Sequence, residues 1–311
     1  MHEPVLLAES LDFLNVRQGG AYIDGTVGGG GHARAILERA MPGGTVLGID
    51  RDREALARLD ASSGAASGGR FGSGLALAHG NFADMATLAR ARGIEAVDGI
   101  LLDLGVSSDQ LDTGERGFSF MKDAPLDMRM DRSEEGTAEE WIRTLPESEL
   151  ARIIREYGEE RMARRIARVI VEERLRRPLK TTGQLASLIC RATGRRTGRI
   201  HPATRTFQAL RMAVNGELDS LRAGLTAGLD LLKAGGRMVA ISFHSLEDRE
   251  VKRRFRSHAG RQVSLQSGGS AWEGIEPRVR ILTRKPVAAG AAERAANPRA
   301  RSAKLRAVER V

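Results

Sequence analysis

The run Asp24-Gly25-Thr26-Val27-Gly28-Gly29-Gly30-Gly31-His32 places an acid ahead of five glycines within seven residues. It follows Ala21-Tyr22-Ile23-Asp24, a short apolar stretch of strand character, and precedes residues 33–39, which have helical spacing. Glycines at such a turn let the backbone take positive φ angles and pass close to a ligand. The helix that follows presents unpaired N–H groups at its start. Strand, glycine turn and helix open a βαβ unit, and a βαβ unit requires a parallel sheet around it.

The chain supplies that sheet. Thr45-Val46-Leu47-Gly48-Ile49-Asp50, Leu75-Ala76-Leu77-Ala78 and Gly99-Ile100-Leu101-Leu102-Asp103 are apolar runs without polar alternation. Such runs suit strands buried on both faces. Helical patterns such as residues 53–59 lie between them, so the fold class is α/β, a doubly wound Rossmann-like sheet. The middle of the chain has no convincing strand and carries charged helical patterns at residues 147–155 and 159–176. It reads as an all-helical insertion, dividing the chain into residues 1–108 with 213–311 and an insertion of 109–212. Beyond it, residues 218–232 read as a helix stopped by Gly235-Gly236, 237–243 as a strand and 278–283 as a last edge strand. Residues 61–74, rich in Gly, Ser and Ala, read as a solvent loop. The tail from Arg284 carries eight Lys or Arg against two Glu and reads as a basic arm, disordered or ordering on RNA.

Asp50 closes the second strand, where a nucleotide-binding sheet places a carboxylate for ribose hydroxyls. The spacing Gly28-x-Gly30-x-x-Ala33 also fits a dinucleotide fingerprint, so an NAD-dependent oxidoreductase competes. Two features oppose it. Asp24, just before the glycines, would repel a pyrophosphate but suits a cofactor with a cationic amino-acid end. Asp103-Leu104-Gly105-Val106-Ser107-Ser108 sets an acid and small polar residues at another strand end, where a methyl acceptor would sit.

The net charge of +9 favours a polyanionic partner. Residues 191–216 hold six Arg, one His and no acid, a pattern suited to phosphate contact. Cys190 is the one cysteine, which excludes an internal disulfide and a cysteine-based zinc site. Its Leu/Ile-flanked setting reads as core, which speaks against covalent attack on pyrimidine carbon 5. The six His show no metal-ligand spacing, so no metal is expected. No run of 18 apolar residues predicts a membrane span, and Met1-His2-Glu3-Pro4 is unlike a signal peptide, so the expected location is cytoplasmic.

Several longer words complete the pattern: His2-Glu3-Pro4-Val5-Leu6-Leu7, Tyr22-Ile23-Asp24-Gly25-Thr26, Gly80-Asn81-Phe82, Gly99 through Ser108 to Gln110-Leu111-Asp112, and Glu115-Arg116-Gly117-Phe118-Ser119-Phe120. Pro125-Leu126-Asp127-Met128-Arg129-Met130-Asp131, His201 through Arg211, Ser242-Phe243-His244-Ser245-Leu246-Glu247-Asp248 and Asn297-Pro298-Arg299 follow. In these the chain resembles the 16S ribosomal RNA cytosine N4-methyltransferases, the MraW or RsmH family. The resemblance implies a class I methyltransferase sheet, S-adenosylmethionine as cofactor and an insertion that recognises substrate. It implies as partner the 16S rRNA within the small ribosomal subunit, and leaves room for a homodimer. It places Gly30, Gly31 and His32 at the methionine end of the cofactor, Asp50 at the ribose and Phe82 at the adenine, with Asp103 and Gln110 completing the pocket. Gln110 has no other warrant, His32 could equally be an exposed cap neighbour, and Phe82 could be a core aromatic. Gly29 and Ala33 stand where the family often has larger or hydroxylated residues.

The implied chemistry is demanding, because the lone pair on N4 of cytosine is delocalised into the ring. Asp103, or the Leu104 carbonyl, could hold the amino group toward the methyl, and Asp103 could then take its proton. A role for Asp103 in cofactor binding alone fits the residues as well. Phe118, Phe120, Met128 and Met130 either shape the base pocket or pack the insertion against the sheet. A non-catalytic RNA-binding protein remains the third reading, and the intact set Asp24, Asp50 and Asp103 opposes it.

Overall fold

A computed structural model describes residues 4–63, 74–194, 201–264, 270–273 and 276–311. Its strands are β1 (Ala21–Asp24), β2 (Thr45–Asp50), β3 (Leu75–His79), β4 (Val97–Asp103), β5 (Leu232–Ser242), β6 (Arg261–Ser264), β7 (Ser270–Glu273), β8 (Val279–Ile281) and β9 (Lys304–Arg310). The helices before the insertion are α1 (Leu7–Leu14), α2 (Gly31–Ala40), α3 (Arg53–Ser63) and α4 (Met85–Arg90). Those of the insertion are α5 (Ser108–Asp112), α6 (Ala138–Thr144), α7 (Glu147–Glu156), α8 (Ala163–Arg176), α9 (Thr182–Thr193) and α10 (Thr204–Val214). After it come α11 (Glu217–Leu231), α12 (Ser245–His258) and α13 (Ala291–Ala296). The chain forms two compact units, residues 1–105 with 218–311, and residues 106–217.

The first unit is built on a seven-stranded sheet in the order β3-β2-β1-β4-β5-β9-β8. The first five strands are parallel, and β9 and β8 join them antiparallel. This is the doubly wound Rossmann-like arrangement that the apolar runs predict. Leu101, Val239 and Ile241 pack with α1 and α2 through Leu11, Leu14, Ile36 and Leu37. Their strand neighbours Ile100 and Met238 lie beside Gly228 of α11. Both faces of the central strands are therefore dry, which explains their unbroken apolar character. β6 and β7 form a separate hairpin.

Three departures from the sequence reading have clear causes. The tail is not a loose arm: β9 lies inside the sheet, with Leu305, Ala307 and Val308 fully buried. Charges within β9 find partners inside the unit. Arg306 Nε lies 2.6 Å from Asp248 Oδ1, and Glu309 accepts from Arg237 at 2.9 Å and from Arg280 at 2.6 Å. β8, read as the last strand, is at the sheet edge but precedes β9. β5 begins at Leu232 rather than after Gly235-Gly236, and its register against β4 shifts between Val97 and Gly99, which absorbs the two glycines in an irregular strand start. Of the expected loop at 61–74, residues 61–63 continue α3, and residues 64–73 lie outside the described set.

The second unit contains no named strand among its described residues. Its core joins Phe118, Leu126, Met128, Ile142, Leu150, Ile154, Ile166, Ile170, Leu185, Ile189, Phe207 and Leu210. Three helices start on reciprocal capping boxes: Ser107 with Gln110, Thr137 with Glu140, and Thr181 with Gln184. The unit runs from 106 to 217, wider than 109–212, because its flanks are bonded into it. Ser107 caps α5, Asn215 donates to the Met128 carbonyl at 2.7 Å, and Arg211 pairs with Glu217 at 2.7 Å. α8 starts at Ala163, later than the residue 159 expected, since Glu159 has φ 49° and breaks the helical path. No described helix is long and apolar enough to cross a membrane.

Candidate active site

β2, β1 and β4 are adjacent and parallel, so their carboxyl ends lie side by side. Each ends on an aspartate: Asp50, Asp24 and Asp103. The end of a doubly wound sheet, beside the first strand, is where such folds leave a crevice for a ligand.

The glycine loop leaves β1 and is pinned to both neighbouring strands. Gly25 N–H donates to the Leu101 carbonyl at 2.9 Å, and Val27 N–H to the Ile49 carbonyl at 3.0 Å. Asp50 Oδ2 accepts from Gly28 N–H at 2.8 Å, and its Oδ1 accepts from Asp52 N–H at 2.8 Å. Thr26 bridges the other side: its hydroxyl accepts from Asp103 N–H at 2.7 Å, while its own N–H donates to Asp24 Oδ1 at 3.1 Å. Gly30 has φ 77° at the start of α2, a left-handed conformation that glycine takes without steric cost. A Cβ there would also stand 2.5 Å from Leu59. Gly31 follows as the first residue of α2.

The charges of this cluster are unusual. Asp24 is 1% exposed. Burial pushes its carboxyl up to about 6, helped by the nearby charges of Asp103 and Asp50 and opposed by His32 and the Thr26 N–H. Asp50 is also raised, by burial away from solvent, against the N–H groups of Asp52 and Gly28. His32 is buried rather than an exposed cap neighbour, and its Nε2 lies 3.5 Å from Asp103 Oδ2. Burial works to lower the imidazole, but Asp103, with help from Asp24, holds it above its ordinary value. At 3.5 Å the His32–Asp103 approach is an ion-pair distance without hydrogen-bond alignment, and Asp103 Oδ1 has no hydrogen-bond donor among the described residues. A buried acceptor in that state has an unmet demand for a donor.

Phe82 lies in a 3-10 turn after β3. Gly224 of α11 makes room for its ring, since a Cβ at 224 would stand 2.4 Å from Phe82 Cδ2. Asn81 fixes the same turn by donating to Ser220 Oγ at 2.8 Å. Phe82 is half-buried, so it is both a packing residue and an available apolar surface. The structure thus assembles Gly30, Gly31, His32, Asp50, Phe82 and Asp103 within the first unit. Gln110 belongs to the second, where its Oε1 accepts from Ser107 N–H at 3.0 Å in the capping box of α5. The neighbouring sequence Ser-x-x-Gln carries that capping signal. Asp52 was missed by sequence reasoning: its Oδ1 caps α3 by accepting from Glu54 N–H at 3.0 Å.

Within the second unit, the residues read for RNA and base contact divide. Phe118 and Met128 are core side chains of the insertion itself. Phe120 stacks on His201 at 4.6 Å between centroids and meets Phe207 edge-on at 4.8 Å. Cys190 is half-buried rather than core, with Sγ 3.6 Å from His201 Nε2. Arg211 is committed to Glu217 instead of facing solvent, and Arg195, Arg196 and Arg199 lie outside the described residues.

The whole chain, residues 1–311, matches the MraW methylase family. It is 54% identical over 312 residues to ribosomal RNA small subunit methyltransferase H of Geobacter sulfurreducens, covering 100% of this chain and 99% of that one. The enzyme of the same name from Syntrophotalea carbinolica is 55% identical over 312 residues, with 100% and 98% covered. That from Pelobacter propionicus is 53% identical over 313 residues, again with 100% and 98% covered. The chain therefore belongs to the MraW methylase family, whose methyl donor is S-adenosylmethionine.

Proposed function

We propose that this protein methylates the exocyclic N4 of a cytosine in the 16S ribosomal RNA of the small subunit. The observation that carries the reading is the convergence of Asp24, Asp50 and Asp103 on the glycine loop at three adjacent strand ends. The relatives named for ribosomal RNA supply the substrate class.

The residues fit the cofactor. Three carboxylates suit a ligand with an ammonium and a sulfonium, and Asp103 Oδ1 is an acceptor in want of a donor. A Cβ added to Gly29 would meet nothing within 4 Å, so the loop borders open space. When bound, S-adenosylmethionine supplies an electrophilic methyl carbon on its sulfonium. Gly30, Gly31 and His32 hold its methionine end, Asp50 the ribose through its remaining lone pairs, and Phe82 the adenine. Asp103 completes the pocket, and Gln110 enters through the family resemblance alone. Residues 106–217 recognise the substrate, and the site of action is the cytoplasm, where small subunits are made.

Catalysis here is chiefly alignment. Asp103, or the Leu104 carbonyl, accepts an N–H of the cytosine amino group and keeps its lone pair directed at the methyl. Asp103 then takes the proton released on methylation, directly or through water. His32 Nε2, 3.5 Å from Asp103 Oδ2, holds that carboxylate in place beside the acceptor.

The test incubates wild type and Asp103→Ala with methyl-labelled S-adenosylmethionine and small subunits lacking the modification, then digests the RNA for mass spectrometry. Label on N4 of one cytosine, absent with the variant, is the expected result. Label on another atom overturns the target assignment. No label on subunits or naked RNA, with no heat of cofactor binding, replaces the enzyme with an RNA-binding protein.

A further inference from the structure

In the second unit, the turn between α7 and α8 opens a groove of about 730 Å3 lined by Arg155, Arg161, Arg164 and Arg165, with Glu159 and Glu160. All four arginines are exposed. None has a hydrogen bond or ion pair within the described residues. Other arginines on the same two helices are spoken for, Arg176 at the end of α8 excepted. Arg152 pairs with Glu149 and Glu156 at 2.5 Å each, Arg168 with Glu147 at 4.0 Å, and Arg174 donates to the Ile142 and Leu145 carbonyls. Of the two acids in the groove, Glu160 is buried and its Oε1 accepts from Met162 N–H at 2.9 Å. The net charge of the groove is positive.

Four uncommitted guanidiniums in one groove repel one another, and the two acids Glu159 and Glu160 offset that cost only in part. Arg164 and Arg165 also stand in the first turn of α8, which carries no acid and where the helix field opposes them. A polyanion in the groove relieves both. Guanidinium is the side chain best matched to phosphate, through paired N–H donors in a plane. We propose that this groove of the second unit seats the phosphodiester backbone of the RNA substrate. This rests on the RNA reading above. Among the described residues the groove carries no aromatic side chain to stack a base, so it reads charge and spacing, not sequence.

Full-length protein and the variant Arg161→Ala/Arg164→Ala/Arg165→Ala are titrated with a small-subunit rRNA fragment across a salt series. Removing one guanidinium–phosphate pair flattens the plot of log affinity against log salt by about 0.7 to 0.9. The triple variant is expected to show a slope shallower by about two and an affinity at least about tenfold weaker at low salt. Its helical content and its affinity for S-adenosylmethionine stay at wild-type values. Lysine at the same three positions restores the slope more than the affinity, and Arg152→Ala leaves the slope unchanged. A triple variant with wild-type slope and affinity overturns the groove and leaves the RNA reading standing. Wild-type protein that binds no RNA overturns both. Loss of binding to polyglutamate with RNA binding intact assigns the groove to an acidic protein and overturns the proposal.

Discussion

Asp24 shows how one buried side chain links stability to ligand chemistry. Its carboxyl is raised from 3.8 to about 6 in the folded state. Between these values the folded protein holds a proton that the unfolded chain has released, so this group's contribution to stability is greatest below pH 4 and declines as pH rises to about 6. Above that, the folded state carries a desolvated charge. Asp24→Asn removes the charge while its amide oxygen still accepts from Thr26 N–H. We expect the variant to be more stable than wild type at pH 8, by about 1–3 kcal/mol, in urea titrations, with a shallower decline between about pH 4 and 6. We also expect calorimetry to show S-adenosylmethionine affinity falling at least about tenfold. A variant that binds cofactor normally would remove Asp24 from the site. For wild type, cofactor affinity should weaken as pH drops below about 6, because protonated Asp24 offers no charge to an ammonium. His32→Ala should weaken cofactor binding as well, since the imidazole is buried at 6% exposure against Asp103 and its removal leaves that carboxylate facing a void.

At the scale of elements, β9 is the piece on which the sheet of the first unit depends. It pairs with β5 over six residues, from Arg237 with Glu309 to Ser242 with Lys304, and carries β8 on its other edge. Leu305→Ala should cost about 2–5 kcal/mol in denaturant titration, the range for a large side chain removed from a packed core. Arg306 and Asp248 are a half-hidden ion pair with side-chain exposures of 7% and 15%. Asp248→Ala should cost about 3–5 kcal/mol because it strands a buried guanidinium, whereas replacing both partners with Leu and Met should cost far less. Equal losses in the single and double variants would show that packing, not charge, governs the site. The sequence of β9, Lys-Leu-Arg-Ala-Val-Glu-Arg, hides its burial because charges interrupt the apolar residues. Those charges become tolerable only beside Asp248, Arg237 and Arg280, partners that chain order does not reveal. β1 and β2, by contrast, match the reading residue for residue, since their burial on both faces leaves no polar interruption.

At the scale of the molecule, residues 106–217 are one continuous segment with a hydrophobic core of its own. Expressed alone, the segment should be helical and unfold cooperatively, as circular dichroism against temperature would show. A fragment without a cooperative transition would mean that its core depends on the other unit. The first unit is assembled from two distant pieces of chain, so neither piece alone should fold. The sequence by itself determined the parallel sheet, the glycine loop and the acids at three strand ends, because hydrophobic runs, positive-φ glycines and strand-terminal carboxylates act within a few residues of one another. It also carried the family words that name the cofactor. Only the tertiary structure decided that the end of the basic tail is a core strand, that His32 is buried against Asp103, and that Arg211 is spent on Glu217 while Arg161, Arg164 and Arg165 have no partner among the described residues. The reason is physical: a charge is read as surface until the opposite charge that buries it, or the absence of one that leaves it available, is set beside it by the fold.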